Sequence, residues 1–452
     1  MRKPQKVTRN VRQAMAPRVF RQAMMLMLFC HQTTGKSDVG VRVTFSRETN
    51  PKNAFVQIQP PNTHYSYAPT AMNDAGDGWK VWTCGGGEGP FDSIYFTHLP
   101  ERNTSATTAP TAVLVPTQRN DWLDGHHACA PTVVQTRLRG DSVSEPPKFR
   151  LWYECAARIY DRVTGVLTEG FAQICHAVSM DGFTWLKYNA SIPGGFGPAS
   201  TVGATPVLPA VPAILNACDF GFNEARGRYE ANFSGSGTCG DLGPNYGNGH
   251  PSAVVIDGVV HLWHYSSEGN FSDRAVFHST SVDGIHFDFA ARERTNLRNP
   301  VDVRAVASTP TGSSIASPFL YVATLGEHSD HYFAYSRDGI TWVWADAAVV
   351  PALSLGIAVP PHCACPAQAS VVADKSGFIF SPDGRSAHVA ILADEGSMGK
   401  NDPTELHCYS PLEDKSRGAT WAVYLLQGEF LFNGDVDAAG SLARDTEKTI
   451  GP

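Results

Sequence analysis

The chain has 452 residues and a formal net charge of -7; 42% of its residues are hydrophobic and only 17% are charged. This apolar share is enough to bury a sizeable core, which excludes wholesale disorder. The acidic balance argues against a nucleic-acid binder, because such proteins usually carry a basic stripe. The 41 glycines and 31 prolines favour a fold with many tight turns over a helix-rich fold.

Residues 1–37 form a separate N-terminal segment in the predicted organisation. Basic residues precede a short apolar run, Ala23–Cys30, which resembles a secretory signal. The run is too short for a stable membrane span, which needs about 20 residues. We therefore predict a secreted or periplasmic protein, with an N-terminal membrane anchor or a disordered basic tail as alternatives. In an exported protein most of the ten cysteines would pair as disulfides, with connectivity left open.

A turn motif recurs along the chain. It reads Ser-x-Asp-Gly and closes on an aromatic residue, at Ser179–Trp185, Ser281–Phe287 and Ser336–Trp342, with a weaker copy at Ser381–Gly384. Asp-Gly supplies the positive φ that a tight β-hairpin needs, and the Asp and Ser side chains accept nearby amide protons. Repetition of the whole motif predicts repeated sheet units.

Strands of alternating pattern define the units. They are Trp79–Thr83, Lys148–Glu154, Val259–Tyr265, Pro318–Ala323 and His388–Leu392. Each follows an expected inner strand, at 67–71, 129–134, 249–255, 303–308 and 366–372. Radial repetition of such units predicts an all-β fold, a five-bladed β-propeller of four-stranded antiparallel blades over residues 38–440. A tail, 441–452, follows.

Closure of the ring is expected from the chain ends. The strand Val39–Phe45 is predicted to pair near Trp421–Leu431. The rival architecture is two β-sandwich domains.

The inner strands that open with x-Pro, the RLWYE-type second strands and the Ser-x-Asp-Gly-x-x-Trp hairpins together resemble a known superfamily. It contains the five-bladed propeller glycosidases, which are arabinofuranosidase-, xylosidase- and invertase-like. The resemblance implies three carboxylates on successive blades: a base or nucleophile, a residue that tunes its pKa, and an acid. Here the three positions read Ala68-Pro69, Ala130-Pro131 and His250-Pro251. None is a carboxylate, so the superfamily's catalytic residues are not carried over.

Three functions remain open at this point. The leading one is a glycoside hydrolase with displaced carboxylates, because cleavage needs one group to protonate the leaving oxygen while the opposite face is attacked. Glu268 is the predicted acid, and Asp124 or Asp302 the predicted base. The alternative for Glu268, and for the nearby Asp273, is an ordinary solvated loop acid. The second function is a non-catalytic carbohydrate-binding propeller. Neither needs a cofactor, and the expected partner is an oligo- or polysaccharide rather than nucleic acid or membrane.

Loops that enter the inner strands supply the other candidates. The predicted substrate-binding residues are Tyr65, His127, Tyr246, Asn248, His250 and Arg304. The third function is a metal-dependent enzyme. Its histidine ring, which would suit a divalent transition metal, consists of His64, His127, His250 and His362. The alternative for these histidines is hydrogen bonding at loop positions. Glu154, which lies in a strand of alternating pattern, is expected to be a buried partner rather than a catalyst.

Overall fold

The computed structural model describes part of the chain. It covers residues 41–45, 66–74, 78–86, 92–100, 109–168, 171–210, 215–216, 218–233, 247–267, 274–297, 301–307, 320–327, 330–344, 350–351, 364–381, 386–397 and 420–432. These residues are almost entirely strand and turn; a 3-10 helix at Phe289–Ala291 and helical residues 215–216 are the helix among them. Within the described ranges no helix is long and apolar enough to cross a membrane. The predicted boundaries at 37/38 and 440/441 lie outside them.

Five repeated sheets contain most of the strands, which are numbered in chain order. The first sheet holds β2 (Ser66–Asp74), β3 (Gly78–Gly86), β4 (Asp92–Leu99) and β5 (Thr111–Leu114). The second holds β6 (His127–Thr136), β7 (Lys148–Ala156), β10 (Gln173–Ser179), β11 (Trp185–Tyr188) and β12 (Phe196–Pro198). The third holds β15 (Asn248–Ile256), β16 (Val259–Ser267), β17 (Arg274–Ser281) and β18 (Glu293–Arg294).

The fourth and fifth sheets each include a strand from outside their own stretch of the sequence. The fourth sheet holds β19 (Val301–Ala307), β20 (Leu320–Glu327), β21 (Asp330–Ser336) and β22 (Val343–Trp344), with β23 (Val350–Pro351) against β21 and β25 (Phe378–Phe380) against β19. The fifth holds β24 (Ala364–Val371), β26 (Ser386–Ser397), β27 (Thr420–Phe432) and β1 (Val41–Phe45). Pairing of β1 with residues 428–432 of β27 agrees with the predicted closing strand.

A small accessory sheet stands outside the repeats. It contains β8 (Ile159–Asp161), β9 (Leu167–Thr168), β13 (Gly221–Asn223) and β14 (Arg228–Ala231). Its β8 and β9 are inserted between the second and third strands of the second sheet.

The first strands of the repeats lie side by side. In the order β2, β6, β15, β19 and β24 each contacts the next, and β24 contacts β2. The segment 373–377 covers their far ends, where its carbonyls accept from the amides of Asn73, Gln135, Val255 and Ala305. The strands begin at the opposite ends, which we call the mouth.

Tryptophans join each sheet to the next. The indole N–H of Trp82 donates to the carbonyl of Gly182 at 3.0 Å, and Trp152 and Trp263 repeat this bond to Gly284 and Gly339 at 2.9 and 2.8 Å. Each tryptophan lies on a second strand and each glycine in the predicted Asp-Gly hairpin of the following sheet. The hairpins are therefore packing devices as well as turns. The fourth hairpin copy reaches beyond the described residues, at 382–385.

Candidate functional site

Four first strands carry a register shift. On β24 it lies between Pro366 and Ala369; the other three also share a residue of positive φ. Pairing shifts register between Tyr67 and Thr70 on β2, between Cys129 and Thr132 on β6, and between Gly249 and Ser252 on β15. Within each of these three bulges the residue before proline has positive φ, and these residues are Ala68 (49°), Ala130 (42°) and His250 (43°). This conformation costs about 1–2 kcal/mol for a residue with a Cβ. Strain repeated at one level of neighbouring strands points to a functional site.

A chain of charged side chains lies behind these bulges. His127, the first residue of β6, places Nδ1 3.0 Å from Oδ2 of Asp92 and Nε2 3.4 Å from Oε1 of Glu154. The other oxygen of Glu154 accepts the backbone N–H of His250 at 3.2 Å and lies 3.9 Å from its Nε2. The first, second and third sheets each contribute to the cluster. We call Asp92, His127, Glu154 and His250 the mouth cluster.

Access to the mouth cluster is graded. The Asp92 side chain is fully buried, whereas 9% of Glu154, 12% of His127 and 15% of His250 remain exposed. His250 is thus the member best placed to meet a ligand. Its ring lies edge-on to Tyr265 at 6.5 Å.

The electrostatics of the mouth cluster follow from this burial. Burial opposes the charged form of His127, but its two carboxylate partners outweigh burial and raise its pKa to about 10. Burial likewise raises the pKa of Glu154, but the bond from His127 and the nearby His250 outweigh it and bring the value to about 2. The neighbouring His126 behaves oppositely, since burial and the charge of His127 lower its pKa to about 4. The cluster therefore holds a cation between two anions at neutral pH.

Two disulfides flank the mouth cluster. Cys84–Cys129 joins β3 to β6, and Cys155–Cys175 joins β7 to β10 directly beside Glu154. The Tyr67 hydroxyl donates to Asp92 at 3.2 Å and lies 2.9 Å from Sγ of Cys129. These crosslinks hold in place the strands that carry the charges. Cys218 is disulfide-bonded as well.

Asp124, a predicted base, occupies a different environment. Its carboxylate forms an ion pair with Lys187 at 2.6 Å, and both side chains are fully buried. Its Oδ1 accepts the backbone N–H of Ala204. A carboxylate held in this way ties the loop before β6 to β11 and is not placed to activate water.

Asp302 and Arg304 form an ion pair on the first strand of the fourth sheet. Arg304 is 2% exposed and donates to the Val371 carbonyl at 3.0 Å and to the Ser370 hydroxyl at 2.9 Å. It also lies 2.8 Å from Oδ1 of Asp302, whose Oδ2 accepts from the Val371 amide. Burial raises the pKa of Asp302, against the charge of Arg304. With these donors and acceptors engaged between strands, the pair suits a structural role better than the predicted base and substrate-binding roles.

The other predicted residues divide into two groups. Asn248 is fully buried and donates to the Pro209 carbonyl at 2.6 Å, so it supports the mouth rather than facing a ligand. Outside the described residues lie Tyr65, Tyr246, Glu268, His64 and His362.

The histidine ring stays a prediction, because His64 and His362 lie outside the described residues. Both ring nitrogens of His127 face carboxylates. Among the described residues one group of potential ligand atoms lies within 4.8 Å of each other, from Cys84, Asp92 and Cys129. Its two sulfurs are bonded to each other in a disulfide, so they offer no thiolate.

Two members of the mouth cluster were not predicted as site residues. Glu154 was expected to be only a buried partner, and Asp92 was not among the predicted residues. The usable signal was a carboxylate directly after the run Leu151–Tyr153 in the strand KFRLWYECA, because charged residues are almost never buried unless paired.

Comparison with known proteins gives similarities of fold. No protein-family model matches the sequence, and no curated protein matches it significantly. A family 117 glycoside hydrolase of the marine bacterium Zobellia galactanivorans has a TM-score of 0.42 at 11% identity over 88% of this chain and 91% of its own. An α-L-arabinofuranosidase of Lactobacillus brevis has 0.43 at 7% identity, over 82% and 92%.

A fructan 1-exohydrolase of Cichorium intybus, in complex with 1-kestose, has a TM-score of 0.42 at 12% identity, over 83% of this chain and 56% of its own. Each is a similarity to another protein at low sequence identity. None of these similarities identifies a substrate or a catalytic residue of this chain.

Proposed function

We propose that this protein is a five-bladed β-propeller that binds carbohydrate at its mouth and hydrolyses glycosidic bonds there. The five repeated sheets, the ordered contacts of their first strands and the closing strand β1 support the propeller. The observation that carries the function is the mouth cluster, with two carboxylates and two histidines on three successive sheets beside three strained bulges.

The displaced acid–base groups are assigned from this geometry. His250 is the one titratable residue at the three kinked positions, and Glu154 lies beside it to stabilise the imidazolium. In the proposed reaction His250 delivers a proton to the leaving glycosidic oxygen while water attacks the anomeric carbon. Glu154, ionised at neutral pH, positions His250 and is not itself the proton donor.

A second carboxylate is required to take the proton from water. Glu268 remains in the proposal, now as this base instead of the acid. It follows β16 directly in the chain, and Ser266 of β16 pairs with Asn248, two residues before His250. Asp302 is the weaker candidate because Arg304, Ser252 and Val371 already engage its carboxylate.

A non-catalytic carbohydrate-binding propeller is the second candidate. Ala68 and Ala130 favour it, since the kinked backbone is kept while its side chains have no chemistry to offer. Under either function we propose a secreted or periplasmic location, because disulfides such as Cys84–Cys129 and Cys155–Cys175 persist in oxidising compartments.

The test is a screen of aryl glycosides and polysaccharides that measures both product and binding. We expect His250→Asn and Glu268→Gln to lower kcat by about 10²–10⁴-fold, the range for loss of an acid–base group. His286→Asn is the matched control, because that side chain is 80% exposed on a hairpin. Binding without product would support the second candidate; neither binding nor product would refute both. Unchanged turnover in Glu268→Gln would remove that residue from the reaction.

A further inference from the structure

The imidazole of His127 occupies an unusual position between two sheets. Asp92 begins the third strand of the first sheet, and Glu154 lies on the second strand of the second sheet. His127 contacts both carboxylates, at 3.0 and 3.4 Å, with opposite nitrogens. The proposed proton transfer uses neither Asp92 nor His127, so their arrangement needs a separate explanation.

We propose that His127 is a positioning residue, a fixed imidazolium that clasps Asp92 to Glu154 and so aims Glu154 at His250. Its catalytic consequence rests on the proposed function, but the clasp itself does not. Oε1 of Glu154 is held by His127, which leaves Oε2 for His250. Rotation of the carboxylate would break both contacts together.

The charge of His127 follows from counting donors. Each ring nitrogen faces an acceptor, and only the protonated ring donates from both nitrogens. A neutral ring would turn a lone pair toward one buried carboxylate and leave two anions close together without a cation. The Tyr67 hydroxyl donates a further bond to Asp92 at 3.2 Å and fixes the outer end of the clasp.

The groups that face His127 set its titration. They are Asp92 and Glu154, which favour the cation, and His126, whose pKa of about 4 keeps it neutral at neutral pH. The pKa of His127 lies at about 10 as their combined result after burial. His127 is therefore not the group that exchanges a proton during turnover near neutral pH.

Histidine-selective ¹⁵N labelling followed by NMR tests the clasp without any substrate. We expect both ring nitrogens of His127 to carry protons up to at least pH 9 in the wild type, with the signal assigned by its loss in His127→Gln. In Asp92→Asn the titration midpoint of His127 should fall by two pH units or more. Tyr67→Phe should lower it less. A wild-type His127 that titrates between pH 6 and 7 would overturn the proposal.

The catalytic consequence is measured separately. We expect Asp92→Asn to lower kcat at least tenfold with KM within threefold, because the substrate-facing His250 is retained while Glu154 loses its anchor. Equal kcat in wild type and Asp92→Asn would overturn the positioning role. If no glycoside is cleaved by the wild type, the proposed function fails while the NMR titration still decides the clasp. If Asp92→Asn does not fold, Tyr67→Phe provides the same two measurements.

Discussion

The three Ser-x-Asp-Gly hairpins, which we call the rim, repeat their side-chain contacts, whereas the bulges at the mouth do not. On the rim, three hairpins carry the same network: Ser179, Ser281 and Ser336 each bond to the following Asp and accept the Gly amide at 2.9 Å. At the mouth three bulges share a backbone, but their side chains differ, and charged residues of other strands stand behind them. Residues that repeat along the sequence thus form the contacts between sheets. Positions that repeat the backbone conformation but differ in side chain lie beside the candidate site.

The largest expected loss of stability comes from a methyl group added where a hairpin glycine contacts a tryptophan ring. Gly339→Ala places a Cβ 2.8 Å from the Trp263 ring at a φ of +75°. We expect the free energy of unfolding to fall by roughly 2–5 kcal/mol, from overpacking and backbone strain together. Gly194→Ala is the matched control, with φ +79° and no atom within 4 Å of the new Cβ. Urea unfolding of both variants measures the difference, and equal losses would contradict the tryptophan contact.

A tryptophan-to-phenylalanine substitution removes the indole hydrogen bond between two sheets and keeps an aromatic ring. Trp152→Phe leaves the buried Gly284 carbonyl without its donor. Trp185→Phe removes a similarly buried indole whose N–H has no hydrogen-bond partner among the residues that the structure describes. Because an unsatisfied buried acceptor costs about 1–3 kcal/mol, Trp152→Phe should be the more destabilising variant by that amount. Thermal unfolding of both variants measures the difference in stability. A Trp185→Phe variant that is the less stable of the two would contradict the prediction.

His264 of β16 and His127 of the mouth cluster should affect stability at opposite ends of the pH scale. Burial lowers the pKa of His264 to about 3, so its contribution to stability is present above the unfolded value of about 6.5 and is lost as pH falls toward 3. The pKa of His127 is raised to about 10, so its contribution is present below about 6.5 and is lost as pH rises through 10.

Accordingly, His264→Gln should flatten the dependence of unfolding free energy on pH between 4 and 6 by about 1.4 kcal/mol per pH unit. His127→Gln should instead flatten it between pH 7 and 9.5. Denaturation curves across both windows provide the measurement. Parallel slopes in wild type and His264→Gln would show that this histidine takes up its proton without unfolding.

The smallest expected effect concerns the strain at the mouth. Ala130→Gly removes a positive-φ alanine on β6, whereas Ala128→Gly on the same strand removes an equally buried one without positive φ. Relief of about 1–2 kcal/mol of strain should offset much of the methyl loss at 130. We expect Ala130→Gly to be less destabilising than Ala128→Gly by about 1 kcal/mol in chemical unfolding. A difference of the opposite sign would show that the bulge stores no strain.

Many of the strands and hairpins could be predicted because the sequence patterns that indicate them are local. Asp-Gly turns and alternating strands place the second strands and hairpins close to where they are observed, such as β7 over Lys148–Ala156. The closing partner of β1 was predicted as well, since a ring needs its ends joined. Of the mouth cluster, His127 and His250 were among the predicted residues. Asp124 forms a buried pair with Lys187 that no local pattern indicates.

By itself the sequence determined the all-β class and the repeating unit, because turn chemistry and alternation act within a few residues. Tertiary structure alone decided which carboxylates matter. Asp92 and Glu154 are 62 residues apart in numbering yet bond to one imidazole, and that proximity arises from the packing of neighbouring sheets. Burial and pairing then set their charges, since the same side chains in solvent would titrate independently.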